Sequence, residues 1–155
     1  MMTAAPGLPH AVLFACGHNS IRSPMAASLL RQIAPRTLYV RSAGVRKLEL
    51  DPFAVAAMAE IGLDISKHRP ITFEELDNDE GLNFDLIVTL APEAHHKALE
   101  LTRTHAVEVE YWPTPDPSGV EGSREHQLDA YRAVRDGLLA RIRQRFGWGG
   151  VTGNE

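Results

Sequence analysis

The chain has 155 residues, 44% of them hydrophobic and 23% charged, with a formal net charge of −4; this is the composition of one compact domain with a substantial core. The acidic balance argues against a nucleic-acid binder, which needs a basic face, no apolar run approaches the roughly 20 residues of a membrane span, and the opening MMTAAPGLPH lacks the basic and apolar regions of a signal peptide. A single cysteine allows no internal disulfide and no multi-thiol metal site, and fits a reducing cytoplasm.

Apolar runs alternate with helical patterns. HAVLFAC, bounded by Pro9 and Gly17, reads as a buried strand. A helix follows over residues 23–33, with Ser23 as N-cap and Pro24 in the first helical position. TLYVRSAG is a second strand, closed by Gly44. Asp51-Pro52 repeats the cap-plus-proline signal for the helix FAVAAMAEIG, which Gly62 ends. Thr72 with Glu75 has capping-box spacing. FDLIVTL is a third strand, followed by a helix over 92–101. AVEVEYW is a fourth, and its alternation of Val and Glu suits an edge strand with one wet face. The proline- and glycine-rich PTPDPSGVEGS is a loop. In the last helix, from Ser123 to Phe146, Leu128, Tyr131, Val134, Leu138, Ile142 and Phe146 recur at helical spacing as a core stripe. Such a β-α-β-α order implies an α/β fold, a parallel sheet with helices on both faces. Residues 1–155 read as a single domain, with 1–9 and 147–155 as loose ends and Trp148 a candidate to dock on the surface.

The loop after the first strand carries the chemistry. In open parallel sheets ligands bind beyond the carboxyl ends of the strands. Residues 16–23 lie at such an end and also lead into a helix N-terminus, where free backbone N–H groups and the dipole favour an anion. A tight loop there forms a nest of inward N–H donors. Arg22 adds a planar fork able to grip two oxygens of a phosphate. At the mouth, Cys16 sits in a positive field that favours thiolate over thiol.

Cys16, five intervening residues and Arg22-Ser23 resemble the phosphate loop of protein tyrosine phosphatases. The position of that loop after VLF near the N-terminus is similar to the low-molecular-weight class, which also contains the thioredoxin-coupled arsenate reductases. Asn19 within the loop, Ser23-Pro24-Met25-Ala26 after the arginine, Ser42-Ala43-Gly44 at the end of the second strand and Asp116-Pro117 late in the chain extend the resemblance over most of the sequence. It implies a three-layer αβα fold with a four-stranded parallel sheet in the order 2-1-3-4. It also implies a two-step transfer through a cysteinyl-phosphate. Cys16 is then the nucleophile, Arg22 stabilises the equatorial oxygens, and Asp116 is the general acid and later the base. Gly17, His18, Asn19, Ser20, Ile21 and Ser23 bind the substrate. Ser23 hydrogen-bonds the thiolate, Asn19 adopts a left-handed conformation that shapes the loop, and Ser42 supports Asn19 from below. No metal or other cofactor is implied. The expected partners are a phosphorylated protein or a small phosphate ester, with phosphate or other oxyanions as ligands, and neither nucleic acid nor a membrane.

Blander readings compete at several positions. Asp-Pro in a proline-rich loop is a common turn initiator, and it is the family position that makes Asp116 an acid. His95, His96 and His105 do not suggest a metal, because adjacent helix positions face different ways. His18 stands where the family has glycine, and it either tunes the thiolate or is simply exposed. His68 reads first as helix punctuation and second as support for the site. Arg31, Arg132, Arg135, Arg141, Arg143 and Arg145 read as solvated helix faces. The chain also departs from the family. Ser118 and Gly119 follow the Asp-Pro pair where tyrosine phosphatases carry tyrosines, and the stretch VRKLELD after Gly44 has no aromatic residue. Ile21 stands where some members have a second cysteine. Without extra cysteines, the internal disulfide relay of the reductase branch cannot form. The expected function is a phosphatase for phosphate monoesters. Alternatives are an arsenate reductase using an external thiol and a non-catalytic oxyanion-binding module.

Overall fold

The computed structural model describes residues 8–147. Four parallel strands, β1 (Ala11–Cys16), β2 (Tyr39–Gly44), β3 (Leu86–Thr89) and β4 (Glu108–Tyr111), form one sheet in the order β2-β1-β3-β4. The expected three-layer α/β fold and strand order are therefore observed. Five helices connect and follow the strands: α1 (Arg22–Ile33), α2 (Pro52–Ala59), α3 (Phe73–Glu80), α4 (Pro92–Leu101) and α5 (Arg124–Phe146). Among the described residues no helix is long and apolar enough to cross a membrane. The expected loose ends fall mostly, and the docking of Trp148 wholly, outside the described residues.

The sheet buries both faces, and alternation along β1 sorts its side chains between them. Val12, Phe14 and Cys16 join Met25 and Leu29 of α1, Met58 of α2 and Leu138 and Ile142 of α5. Leu13 and Ala15 point the other way, to Phe73 and Leu76 of α3 and Ala94 and Ala98 of α4. Every member of the α5 stripe is buried. Strands end sooner than the apolar runs suggest because each exists only where a neighbour pairs: β3 matches four residues of β1, Val12 through Ala15. On β4, Val109 packs inward, while Glu110 Oε1 accepts from Trp112 Nε1.

Helix starts follow side-chain capping at α2, α3 and α5, α4 opens on Pro92 without a side-chain cap, and one start departs from the cap expected for it. Asp51 accepts from Phe53 N at 2.8 Å, Thr72 and Glu75 form a reciprocal capping box, and Ser123 accepts from His126 N at 3.1 Å. Gly62, at φ +82°, closes the turn after α2, where Leu63 N returns to Met58 O at 3.1 Å. The exception is α1. It starts at Arg22, with Ile21 as its cap residue and no side-chain cap, so Ser23 is not the N-cap. Its hydroxyl is turned inward to other work, described below.

The expectation of solvated arginines holds for Arg31, Arg141 and Arg143, which are exposed, and fails for Arg132, Arg135 and Arg145, which are partly or wholly buried. Arg31 donates twice to Val40 O, and Arg141 lies over the Trp112 ring. Arg145 pairs with Glu110. Arg135 is 8% exposed and donates to Ala57 O and to Glu60, which also receives Arg132. Long stems cover apolar surface while the heads reach carboxylates and carbonyls at the end of α2. Hydrogen bonds from Arg132, and then from Arg135, hold the Glu60 carboxyl down at about 2 against an ordinary 4.5. A carboxyl lowered in the folded state stabilises the fold above its unfolded value and loses that contribution as pH falls towards the folded one. Glu60→Gln should therefore unfold at lower temperature than the wild type at neutral pH. The gap should close between pH 4.5 and about 2, as thermal denaturation across pH would read.

Candidate active site

Cys16 ends β1 and is 2% exposed at the floor of a cleft of about 750 Å³. His18, Ser20, Ile21, Arg22 and Asp116 line the same cleft, whereas the side chains of Asn19 and Ser23, and Gly17, are not part of its lining. The loop is shaped from outside. The carbonyls of Cys16, Gly17, His18 and Ser20 accept from the backbone N–H groups of Val45, Arg46, Leu48 and Asp51, at 2.9–3.2 Å. In a trans peptide the carbonyl of one residue and the N–H of the next point in opposite directions. Tying four carbonyls outward therefore turns the N–H groups of Gly17, His18, Asn19 and Ile21 towards the cleft. The close crossing requires Gly44: a Cβ there would lie 2.8 Å from Asn19 N and 2.4 Å from Arg46 O.

Asn19 organises the loop. It is fully buried, and at φ +55° it is the one non-glycine residue with positive φ among those described. Its Nδ2 donates to Ser23 Oγ at 2.8 Å and to Ser42 Oγ at 2.9 Å, and its Oδ1 accepts from Ile71 N at 2.9 Å. His68 Nε2 lies 3.1 Å from Asn19 Oδ1 and 3.2 Å from Asn19 O. Both are acceptors, so the proton belongs on Nε2. His68 is thus part of the loop's support and not mere punctuation. Burial, reinforced by the charges of Arg31 and Arg41, holds its pKa below the ordinary value, while the Asn19 bond acts the other way. Having accepted from Asn19, the Ser23 hydroxyl has its own proton to give to Cys16 Sγ, 2.9 Å away.

Arg22 is 12% exposed. Its Nη1 donates to Thr114 O at 2.9 Å and its Nη2 lies 4.0 Å from Asp116 Oδ2. Asp116 divides its two oxygens. Oδ1 accepts from Ser118 N and Ser118 Oγ, capping the single turn Pro117–Gly119, while Oδ2 faces Arg22. Asp116 thus caps its turn with one oxygen and leaves the other facing Arg22. Burial would raise the Asp116 pKa, but the Ser118 hydrogen bonds and the charges of Arg22 and His18 together outweigh it and leave the carboxyl below its ordinary value. A negatively charged ester placed on Arg22 offsets part of that positive charge and favours protonation.

Leu48, Glu49, Leu50, Ser118, Arg124 and Tyr131 also line the cleft from outside the expected set, and of the aromatic residues able to rebuild the missing slot, Phe53, Tyr111 and Trp112, it is Phe53 that lines it. Phe53 packs against Tyr131 with ring centroids 5.2 Å apart. It supplies an aromatic wall that neither the 45–51 stretch nor the residues after Pro117 provide. Trp112 is buried and Tyr111 stacks on His95, so neither serves the cleft. His95 Nδ1 also meets Thr89 Oγ1 at 3.0 Å, and His105 Nδ1 meets Thr104 Oγ1.

The sequence pattern of the low molecular weight phosphotyrosine protein phosphatases matches residues 11–146. An arsenate reductase of Bacillus subtilis is 36% identical over 133 residues, covering 86% of this chain and 92% of the relative. An arsenate reductase in its phosphate-binding state superposes with a TM-score of 0.67 at 26% identity, over 88% of this chain and 96% of its own. The YwlE arginine phosphatase, in a mutant form with a phosphorylated active-site serine, superposes with a TM-score of 0.69 at 25% identity, over 94% and 97%. Matched along nearly all of its described length and carrying the cysteine–arginine loop at the end of β1, the chain belongs to the low molecular weight phosphotyrosine protein phosphatase family.

Proposed function

We propose that the protein is a phosphatase that hydrolyses phosphate monoesters through a cysteinyl-phosphate on Cys16. The observation that carries this reading is that the sole cysteine of the chain shares one cleft with Arg22 and Asp116. Cys16 Sγ attacks phosphorus, the P–O bond to the leaving group breaks, and Asp116 gives its proton to the departing oxygen. Water then attacks the cysteinyl-phosphate with Asp116 as base, releasing phosphate and the thiolate. Throughout, Arg22 and the inward N–H groups of the loop neutralise charge on the non-transferred oxygens. Ser23 steadies the sulfur as it departs. The positive charge is supplied by the loop and the arginine, so no metal is needed.

A second reading, arsenate reduction, is favoured by the names of the arsenate reductase relatives. A lone cysteine cannot hand its oxidation to a second one within the chain, so that activity would need an external thiol such as glutathione or glutaredoxin. The deciding experiment measures hydrolysis of p-nitrophenyl phosphate and phenyl phosphate beside arsenate reduction with added thiol systems. Ester turnover without reduction is expected; reduction without ester turnover would replace this reading with the second, and neither activity would leave an oxyanion-binding module.

The same esters test Asp116. p-Nitrophenolate leaves readily unprotonated and phenolate does not, and general acid catalysis contributes about 10²–10⁴-fold according to leaving-group basicity. Asp116→Asn should slow phenyl phosphate far more than p-nitrophenyl phosphate. Equal losses in kcat/KM on the two, with folding intact by circular dichroism, would confine Asp116 to its turn.

A further inference from the structure

Beyond the phosphate loop the cleft has a layered wall. Asp51 Oδ2 accepts from the Tyr131 hydroxyl at 2.7 Å, Tyr131 packs against Phe53, and the Arg124 guanidinium lies over the Phe53 ring, 5.3 Å from its centroid. Each layer is fixed by the one beneath it. Asp51 is itself held as the cap of α2, and Tyr131 is 3% exposed. Arg124 stands at the first position of α5, where the chain leaves the loop that carries Asp116.

Arg124 differs from the other arginines of this region. Arg132 and Arg135 close on Glu60, and Arg22 holds Thr114 O. Among the described residues, Arg124 stacks on Phe53 without a carboxylate partner. A guanidinium over a ring face keeps N–H donors for a ligand, and its planar fork matches a carboxylate or a phosphoryl group. The carboxylates that share the cleft are largely engaged. Asp51 serves Phe53 N and Tyr131, and Asp116 serves Ser118 and faces Arg22. Glu49 remains, exposed to water on the 45–51 segment and screened accordingly.

We propose that Arg124 is a specificity-determining residue: it receives a carboxylate on the body of a phosphate ester whose phosphoryl group occupies the Cys16–Arg22 loop. The cleft then selects acidic phosphate esters over neutral ones, through a cation positioned by Phe53. This rests on the phosphatase reading for what happens to the ester, though not for its binding.

The test compares p-(carboxymethyl)phenyl phosphate with p-tolyl phosphate, which have similar leaving groups and differ by one carboxylate. Dissociation constants are measured by calorimetry on Cys16→Ala protein, with Arg124 intact and as Arg124→Gln or Arg124→Lys. With Arg124 intact, the carboxylate ester should bind about two- to fivefold more tightly, the range expected of a well-oriented but exposed ion pair. Arg124→Gln should erase that preference while leaving p-tolyl phosphate and inorganic phosphate unchanged, and Arg124→Lys should restore part of it. An unchanged preference without Arg124 would overturn the proposal. So would equal weakening of both esters, the mark of a stacking platform, or tighter binding of phosphoarginine than of either. Turnover is measured separately on protein with Cys16 intact. Its absence beside an Arg124-dependent binding preference would remove the phosphatase reading and leave the subsite standing.

Discussion

Cys16→Ser is expected to lower kcat on p-nitrophenyl phosphate by about 10⁵–10⁶-fold, the scale seen when a catalytic nucleophile is removed. The hydroxyl is close in shape to the thiol and can keep the bond to Ser23 Oγ that spans 2.9 Å in the native site. What it lacks is an accessible anionic form at neutral pH. Phosphate binding, which depends on Arg22 and on the N–H groups turned inward by residues 45–51, should change by less than about threefold, since the variant removes none of those donors. In the wild type, iodoacetate should alkylate Cys16 rapidly near neutral pH, and bound phosphate should protect it. Turnover that survives in the serine variant would place the nucleophile elsewhere. Turnover and phosphate binding lost together would point to a collapsed loop.

Arg22→Lys is expected to cost about 10²–10³ in kcat/KM, comparable to deleting one preorganised donor to a developing oxyanion. The net charge of the protein is unchanged, so the loss isolates geometry from charge. Arg22 is largely enclosed, with one prong on Thr114 O and the other beside Asp116. An ammonium cannot hold two equatorial oxygens and keep that reach. The loss should fall mainly on kcat, because a lysine still attracts a ground-state phosphate dianion. Near-wild-type rates would make Arg22 a simple point charge. A pure KM effect would make it a binding group that does not follow the transition state.

The strands and most helix starts were legible in the sequence because they depend on local signals: apolar runs, Asp-Pro, a capping box, a heptad-like stripe; the strand order was legible only through the family resemblance. Cys16, Arg22 and Asn19 were legible because seven consecutive residues, 16–22, build most of the loop. The rest depends on chain crossings that no local pattern records. Ser23 reads as a cap from its neighbours, yet Asn19 and Cys16 claim its hydroxyl, and both reach it only after the loop has closed. Residues 45–51 carry no catalytic side chain by pattern, and their contribution is backbone N–H groups that fix four carbonyls. Arg135 has the spacing of an exposed helix face, but the end of α2 covers it. Phe53 and Arg124 are 71 positions apart in the numbering, and their stack exists only because α2 and α5 pack on the same side of the sheet.

The bond from Arg22 to the Thr114 carbonyl makes two equilibria share one donor. A phosphoryl group that draws both prongs of Arg22 towards itself competes with the main chain of the segment leading to Asp116. Affinity for the anion and order in that segment are then thermodynamically coupled, and the coupling is reciprocal: whatever the oxyanion does to the segment, the segment does equally to the oxyanion. Arg22 thus reports the occupancy of the phosphate loop to the segment that carries Asp116.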